Sequence, residues 1–149
     1  MEKIEISKMT LEDFEQINNT LSLDFDDFWT PDLLKSELMG QTKTYIVAKQ
    51  DGKIVGFAGA MLNFPEMEIM NIVTKKTHRG NGIGRILLEK LIEIADKNHF
   101  ENVFLEVNQS NEVAKKLYEK AGFVEIGLRK NYYGENEDAI VMSKKINNF

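Results

Sequence analysis

The stretch Met67-Glu68-Ile69-Met70-Asn71-Ile72-Val73-Thr74, followed four residues later by Arg79-Gly80-Asn81-Gly82-Ile83-Gly84, decides the fold. The first run is apolar-rich and bounded by turn residues, which reads as a strand. The second places glycines at 80, 82 and 84 and opens directly into a helix. In that helix Ile83, Leu87, Leu91 and Ala95 recur every four residues, with Ile86 and Ile94 beside them. Val103 to Val107 then carries apolar residues on both faces, as a central strand with a parallel neighbour does. The strand–loop–helix–strand unit from Met67 to Val107 is long enough for a right-handed parallel crossover.

Upstream of this unit, Lys3 to Ser7 alternates apolar and polar residues with the period of a half-buried strand. Thr10 reads as the N-cap of a helix with Glu12 and Asp13 in its first turn and an apolar stripe of Leu11, Phe14, Ile17 and Leu21. Asp24 to Thr30 mixes acids with aromatics, and Thr30-Pro31 opens a second helix, since Pro suits the first helical position. Tyr45 to Ala48 and Ile54 to Ala58 flank Asp51-Gly52, a hairpin signal, and Asn63 to Pro65 turns into the Met67 strand. Downstream, Val113 to Ala121 is helical, with Gly122 at the left-handed position beyond its end. Two last strands, Phe123 to Arg129 and Ala139 to Lys145, bracket a polar aromatic loop. Tight turns make the flanking strands antiparallel. The expectation is a mixed α/β sheet in a single domain, residues 1–149.

Composition narrows the function classes. With 42% hydrophobic and 29% charged residues the chain is an ordinary globular sequence. It has no Cys, which excludes disulfides, thiolate nucleophiles and iron–sulfur sites, and its 2 His cannot close a tetrahedral zinc shell. A net charge of −5 is the wrong sign for a general nucleic-acid binder. The start, Met1-Glu2-Lys3-Ile4-Glu5, lacks the basic-then-apolar pattern of a signal peptide, and no run reaches the ~18 apolar residues of a membrane span. The expectation is a soluble, cytoplasmic protein with no nucleic-acid or membrane partner.

Against that acidic background, Lys75, Lys76, His78, Arg79 and Arg85 lie within eleven positions that hold no acid. Glycines let backbone N–H groups converge, and the following helix turns its positive end to the same point, so loop and cations together suit phosphate. The alternative is a tight strand–helix turn with solvated cations; His78 reads as a plain loop residue. A P-loop needs Gly-Lys-Ser/Thr after four residues, and a dinucleotide fingerprint needs its third glycine at 85, where this chain has Arg85.

The remaining pattern, Arg-x-x-Gly-x-Gly at Arg79 to Gly84 after Asn71-Ile72-Val73, resembles the acetyl-CoA motif of the GNAT acetyltransferases. The resemblance continues through Leu105-Glu106-Val107, Asn111, Ala114, Leu117-Tyr118-Glu119 and Gly122-Phe123. It reaches Arg129-Lys130-Asn131-Tyr132-Tyr133 and Glu137-Asp138-Ala139-Ile140-Val141-Met142, where it is similar to the RimI branch, the ribosomal-protein-alanine N-acetyltransferases. It is close from Asn71 to Met142 and loose before that. Two departures fall on the acceptor side: Asn108 stands where that branch generally has Arg, and Phe28-Trp29 where it has Pro-Trp. The resemblance implies the GNAT acyl-CoA N-acyltransferase fold, a mixed central sheet of about seven strands with about four helices.

It also implies a cosubstrate, acetyl-CoA, and no metal. Its pantetheine arm would lie along the backbone of Ile72, Val73 and Thr74 with Asn111, and its phosphates on Arg79, Gly80, Asn81, Gly82, Ile83, Gly84 and Arg85. Asn111 read alone is an ordinary helix cap. The implied general base is Glu106, the one acid of its strand, which read alone is as readily a solvent-facing strand end. The implied general acid is Tyr118, which periodicity alone would put in the core. Trp29, Tyr132 and Tyr133 are the candidate acceptor-binding aromatics, Trp29 being equally readable as an anchor for the second helix. The acids from Asp24 to Glu37 either steer a basic protein substrate or form a solvated loop. The implied reaction is direct acetyl transfer by a monomer to the N-terminal alanine of a small-subunit ribosomal protein. The alternatives are a GNAT enzyme of broader taste, acting on other protein N-termini, lysine or small amines, and an idle acyl-CoA-binding sensor.

Overall fold

The computed structural model describes residues 3–25, 34, 35 and 42–147. In chain order the elements are β1 (Ile4–Lys8), α1 (Leu11–Ile17), β2 (Lys43–Gln50), β3 (Lys53–Asn63), β4 (Glu66–Thr74), α2 (Ile83–Lys97), β5 (Asn102–Asn108), α3 (Glu112–Lys120), β6 (Val124–Gly134) and β7 (Glu137–Lys145). A π-helical turn, Leu21–Phe25, follows α1, and a 3-10 turn, Lys76–His78, precedes α2. The strands form a seven-stranded mixed sheet in the order β1-β2-β3-β4-β5-β7-β6. The β4–β5 step is parallel, while β1–β2, β2–β3, β5–β7 and β6–β7 are antiparallel. This is the mixed sheet expected of the sequence, with its parallel step at the Met67–Val107 crossover. The expected second helix, opening at Thr30-Pro31, begins outside the described residues.

Contacts group the chain into two compact units. The first comprises Met1–Leu62 and Asn71–Leu91. Its helix α1 starts as the sequence dictates. The Thr10 hydroxyl accepts the Asp13 N–H at 3.1 Å and the Asp13 carboxylate accepts the Thr10 N–H at 2.9 Å, a reciprocal capping box. Asp13 is 6% exposed and also holds Lys49 Nζ at 2.7 Å. Leu21 does not continue the α1 stripe. The poor helix formers Asn18, Asn19 and Thr20 end α1 at Ile17, and Leu21 reaches the core from the π-helical turn. The Asp51-Gly52 hairpin has positive φ at both residues, 52° and 75°, as a type I′ turn requires. On β3, a Cβ at Gly56 would lie 2.9 Å from the Ile83 side chain and 3.0 Å from the Val73 carbonyl. Only glycine lets β4 and the first residue of α2 seat this closely on β3.

The second unit comprises Asn63–Met70 and Ile92–Phe149. β5 buries Val103, Leu105 and Val107 and leaves Phe104 and Glu106, on its other face, half-buried. Its parallel pairing with β4 covers only Glu66↔Asn102 to Glu68↔Phe104, whereas its antiparallel pairing with β7 runs from Asn102↔Lys145 to Asn108↔Ala139. The expected parallel neighbour is therefore present but short. α3 ends in a Schellman motif. Gly122, at φ 96°, donates its N–H to the Glu119 carbonyl, and Phe123 donates to the Tyr118 carbonyl, each at 3.0 Å. The expected loop after Arg129 is instead strand. β6 continues to Gly134, and Tyr132 and Tyr133 belong to it, because pairing with β7 resumes at Gly134↔Glu137 after a register shift.

Candidate active site

The glycine loop belongs to the first unit. Gly80 and Gly82 adopt φ 84° and 81°, and a Cβ at either would meet nothing within 4 Å. Glycine is needed here for its backbone conformation, and the space beside both residues is open. The first backbone bond of α2 runs from Ile86 N–H to the Gly82 carbonyl at 3.1 Å. The N–H groups of Ile83, Gly84 and Arg85 have no carbonyl one turn earlier in the helix and form its positive end. Asn81 closes the loop by donating Nδ2–H to the His78 carbonyl at 3.2 Å, and His78 lies in the 3-10 turn, as a loop residue. Arg79 donates to the Phe25 carbonyl at 3.2 Å, which ties the loop to the π-helical turn. Open space, oriented donors and a basic surround fit the phosphates of coenzyme A.

Upstream on β4, Ile72, Val73 and Thr74 lie beyond the last residue paired with β5. Val73 is buried in the core of the first unit, which includes Phe57 and Tyr45. Asn71 donates to the Tyr45 hydroxyl at 3.3 Å, while its own Oδ1 is buried without a hydrogen-bond partner. The sequence marks Asn71 as the head of Asn71-Ile72-Val73 and as an amide between apolar neighbours, without naming its partner.

The second unit gathers a carboxylate, a guanidinium and three phenols. Glu106 Oε1 lies 3.1 Å from Arg129 Nη1, with the glutamate side chain 14% exposed and the arginine 58%. The guanidinium also lies over the Tyr132 ring, 5.5 Å from its centroid. Tyr132 and Tyr133 meet edge to face at 5.0 Å. Neighbours in a regular strand point to opposite faces. Here Asn131 sits at φ 55°, its N–H held by the Asp138 carboxylate at 2.8 Å, within a register shift. The irregularity brings both phenols under the influence of Glu106, as bulges beside active sites do.

The electrostatics follow this arrangement. The Glu106 charge is the first cause raising the Tyr132 phenol above its ordinary pKa, with burial and hydrogen bonding to the same carboxylate adding, Arg129 opposing and Glu68 contributing. Burial, then the charges of Glu106 and Tyr132, raise Tyr133. Burial and, second, Tyr133 push Tyr118 up to about 12. Tyr118 is half-buried, short of the core position that periodicity alone would give it, and packs edge to face on Phe123 at 6.0 Å. The Schellman turn that follows it therefore fixes the position of its ring.

Of the other residues singled out, Asn111 caps α3 by accepting the Ala114 N–H at 3.1 Å. Asn108 turns the chain toward that cap, its Oδ1 accepting from Ser110 N–H and Oγ–H at 3.0 and 2.8 Å. Trp29 lies outside the described residues. Among the described residues no group of three or more His, Asp or Glu is placed to hold a metal, and no helix is long and apolar enough to cross a membrane. Sequence reasoning gave Arg129 and Glu68 no role; neither shows its partner until β4, β5 and β6 are in register.

The chain matches the acetyltransferase (GNAT) family over residues 11–123. A Bacillus subtilis protein provisionally named a ribosomal protein bS18-alanine N-acetyltransferase is 33% identical over 147 residues, 97% of each chain. The ribosomal protein bS18-alanine N-acetyltransferase of Haemophilus influenzae is 37% identical over 121 residues, 77% of this chain and 80% of that one. The crystal structure of the ribosomal-protein-S18-alanine N-acetyltransferase from Escherichia coli superposes with a TM-score of 0.89 at 30% identity, covering 99% of this chain and 96% of that one. Sheet topology, glycine loop and relatives agree, and the chain belongs to the GNAT family as an acetyl-CoA-dependent N-acetyltransferase.

Proposed function

We propose that this enzyme acetylates the N-terminal α-amino group of a protein, with the N-terminal alanine of a basic small-subunit ribosomal protein as its acceptor. It works as one domain, a cytoplasmic monomer. The observation that carries the acceptor reading is the near full-length similarity to relatives named for alanine N-acetylation of a ribosomal protein.

Acetyl transfer needs a neutral amine, a polarised thioester carbonyl and a proton for the departing thiolate. An α-amine has pKa ~7.8 and a lysine side chain ~10.4, so at neutral pH lysine asks about 3.5 kcal/mol more of the base. Glu106, a half-buried carboxylate among phenols, is the general base. The amine nitrogen bonds to the acetyl carbon, its proton passes to Glu106, the carbon–sulfur bond breaks, and the sulfur takes a proton from Tyr118. With its phenol near 12, Tyr118 stays protonated across the working range. Leaving it as a phenolate against a thiol of pKa ~8.5 would cost about 5 kcal/mol. Tyr118 therefore acts first by hydrogen bonding to the sulfur, and its proton is replenished as Glu106 releases the one it took. A backbone N–H near Val73 polarises the acetyl oxygen, while Ile72 and Thr74 flank the pantetheine arm with Asn111. Gly80 to Arg85 receive the phosphates at the N-terminus of α2. Tyr132 and Tyr133 contact the acceptor's first residue.

The test is acetyl-CoA turnover read by mass spectrometry on three acceptors: a basic peptide with free N-terminal Ala, its N-terminally blocked twin containing Lys, and a polyamine. Acetylation confined to the free α-amine is expected. Modification of the blocked peptide or the polyamine at comparable rates rejects the acceptor, and coenzyme binding without turnover on any of them rejects the roles of Glu106 and Tyr118.

A further inference from the structure

The Glu106 carboxylate is not free to meet a cationic substrate. Its Oε1 is 3.1 Å from Arg129 Nη1, and the guanidinium is the more exposed partner, at 58% against 14%. An incoming α-ammonium would compete with a positive charge already in place. Resting on the acceptor reading above, we propose that Arg129 is a specificity-determining positioning residue: by pairing with Glu106 it makes the enzyme take its acceptor as a neutral amine, and so favours α-amino groups over lysine side chains.

The titratable groups around the carboxylate come from β6, α3 and β4; β7, where Val141 is the register partner of Glu106, sets no charged residue opposite it. β6 supplies Arg129, Tyr132 and Tyr133, the last of these also acting on Tyr118 of α3. β4 supplies Glu68, whose register partner Phe104 shares the β5 face with Glu106, two residues apart. Glu68 and Glu106 both act on the Tyr132 phenol, Arg129 in the opposite sense. Among these groups there are two carboxylates and one cation. With Arg129 in place the net charge is −1; without it two carboxylates stand unopposed, a pair that attracts ammonium ions whatever their pKa. Charge alone then sets the selectivity. At pH 7 about 14% of an α-amine is neutral and about 0.04% of a lysine, a ratio on the order of 300. A site that admits only neutral amines inherits this ratio, whereas one that first captures the cation loses much of it.

The experiment compares wild type, Arg129→Gln and Arg129→Lys on two peptides, one with a free N-terminal Ala and no Lys, the other N-terminally blocked with a single Lys. kcat/KM is measured from pH 6 to 9, with melting curves to show that each protein is folded. For wild type, kcat/KM on the α-amine should rise about tenfold per pH unit and level near 7.8. In Arg129→Gln the α-amine-to-lysine ratio should fall at least tenfold and the pH rise become shallower. Arg129→Lys, which keeps the charge without the planar fork, should restore both. An unchanged ratio and slope in Arg129→Gln overturns the proposal, as does an Arg129→Lys that behaves like Arg129→Gln. The wild-type ratio by itself tests the acceptor reading, and the change on substitution tests Arg129, so the two fail separately.

Discussion

Replacing Glu106 with Gln separates catalysis from structure at the centre of the site. Gln keeps the shape of the side chain and removes its charge. The ion pair lost is with a guanidinium that is 58% exposed, so its contribution to stability is small, about 0–1 kcal/mol. For a chain of this size that corresponds to a change in Tm of at most about 4 °C. A positioned general base contributes about 100- to 10,000-fold, about 3 to 5 kcal/mol of barrier. The two readouts should therefore part clearly: turnover on an N-terminal Ala peptide falls by at least about 100-fold, while the melting curve and coenzyme A binding stay close to wild type. A third readout comes from the phenols. The Glu106 charge is the leading cause holding Tyr132 up and the second cause for Tyr133. In Glu106→Gln both should ionise at lower pH, while Tyr118, raised chiefly by burial, remains near 12. Ultraviolet titration of the tyrosinate band resolves this, since the chain holds only 4 Tyr. A folded Glu106→Gln enzyme with turnover within threefold of wild type would remove Glu106 from the base role. An unmoved tyrosine titration would show that the carboxylate does not face these phenols.

Tyr118→Phe keeps the edge-to-face packing on Phe123 and should leave coenzyme binding and melting unchanged while lowering kcat about 100-fold; equal kcat would exclude the phenol from proton donation. Asp13→Asn should cost about 1–2 kcal/mol at pH 7, from the capping box and the Lys49 pair. Burial alone would raise the Asp13 pKa, but hydrogen bonds from Lys49 and Thr10 and the Lys49 charge outweigh it and hold it below 3.8. The charge thus stabilises the fold above the unfolded value of ~3.9 and ceases to as pH falls through the lower folded value. Urea midpoints of wild type and Asp13→Asn should converge toward pH 3, and a gap that persists there would contradict the assignment.

What could be read from the sequence, and what could not, divides by distance along the chain. Thr10 as N-cap, Asp51 with Gly52, and Gly122 after α3 act on backbone within a few residues, and each performs the expected task, while Asp13, expected only as a first-turn acid, also closes the capping box. The glycine loop is legible for the same reason, since positive φ at 80 and 82 is a local demand. Tyr132 and Tyr133 are different. Asn131 and Asn136 beside them look like turn residues, and both do take positive φ. Yet pairing with β7 carries the strand on past them to Gly134, and the irregularity that looked like a loop is what brings both phenols under the influence of the Glu106 charge. Glu106 and Arg129 were each quoted in the sequence, in motifs 23 residues apart. Nothing in either motif says that they touch. Only the order β5-β7-β6 does, because it sets the strand bearing Arg129 two positions from the strand bearing the carboxylate, with β7 between them. The identity of the base is thus a property of a motif, whereas its charge balance is a property of the sheet. Selectivity between amines of different pKa depends on the second, which is why the substitution that should change it lies at a residue whose partner the sequence cannot name.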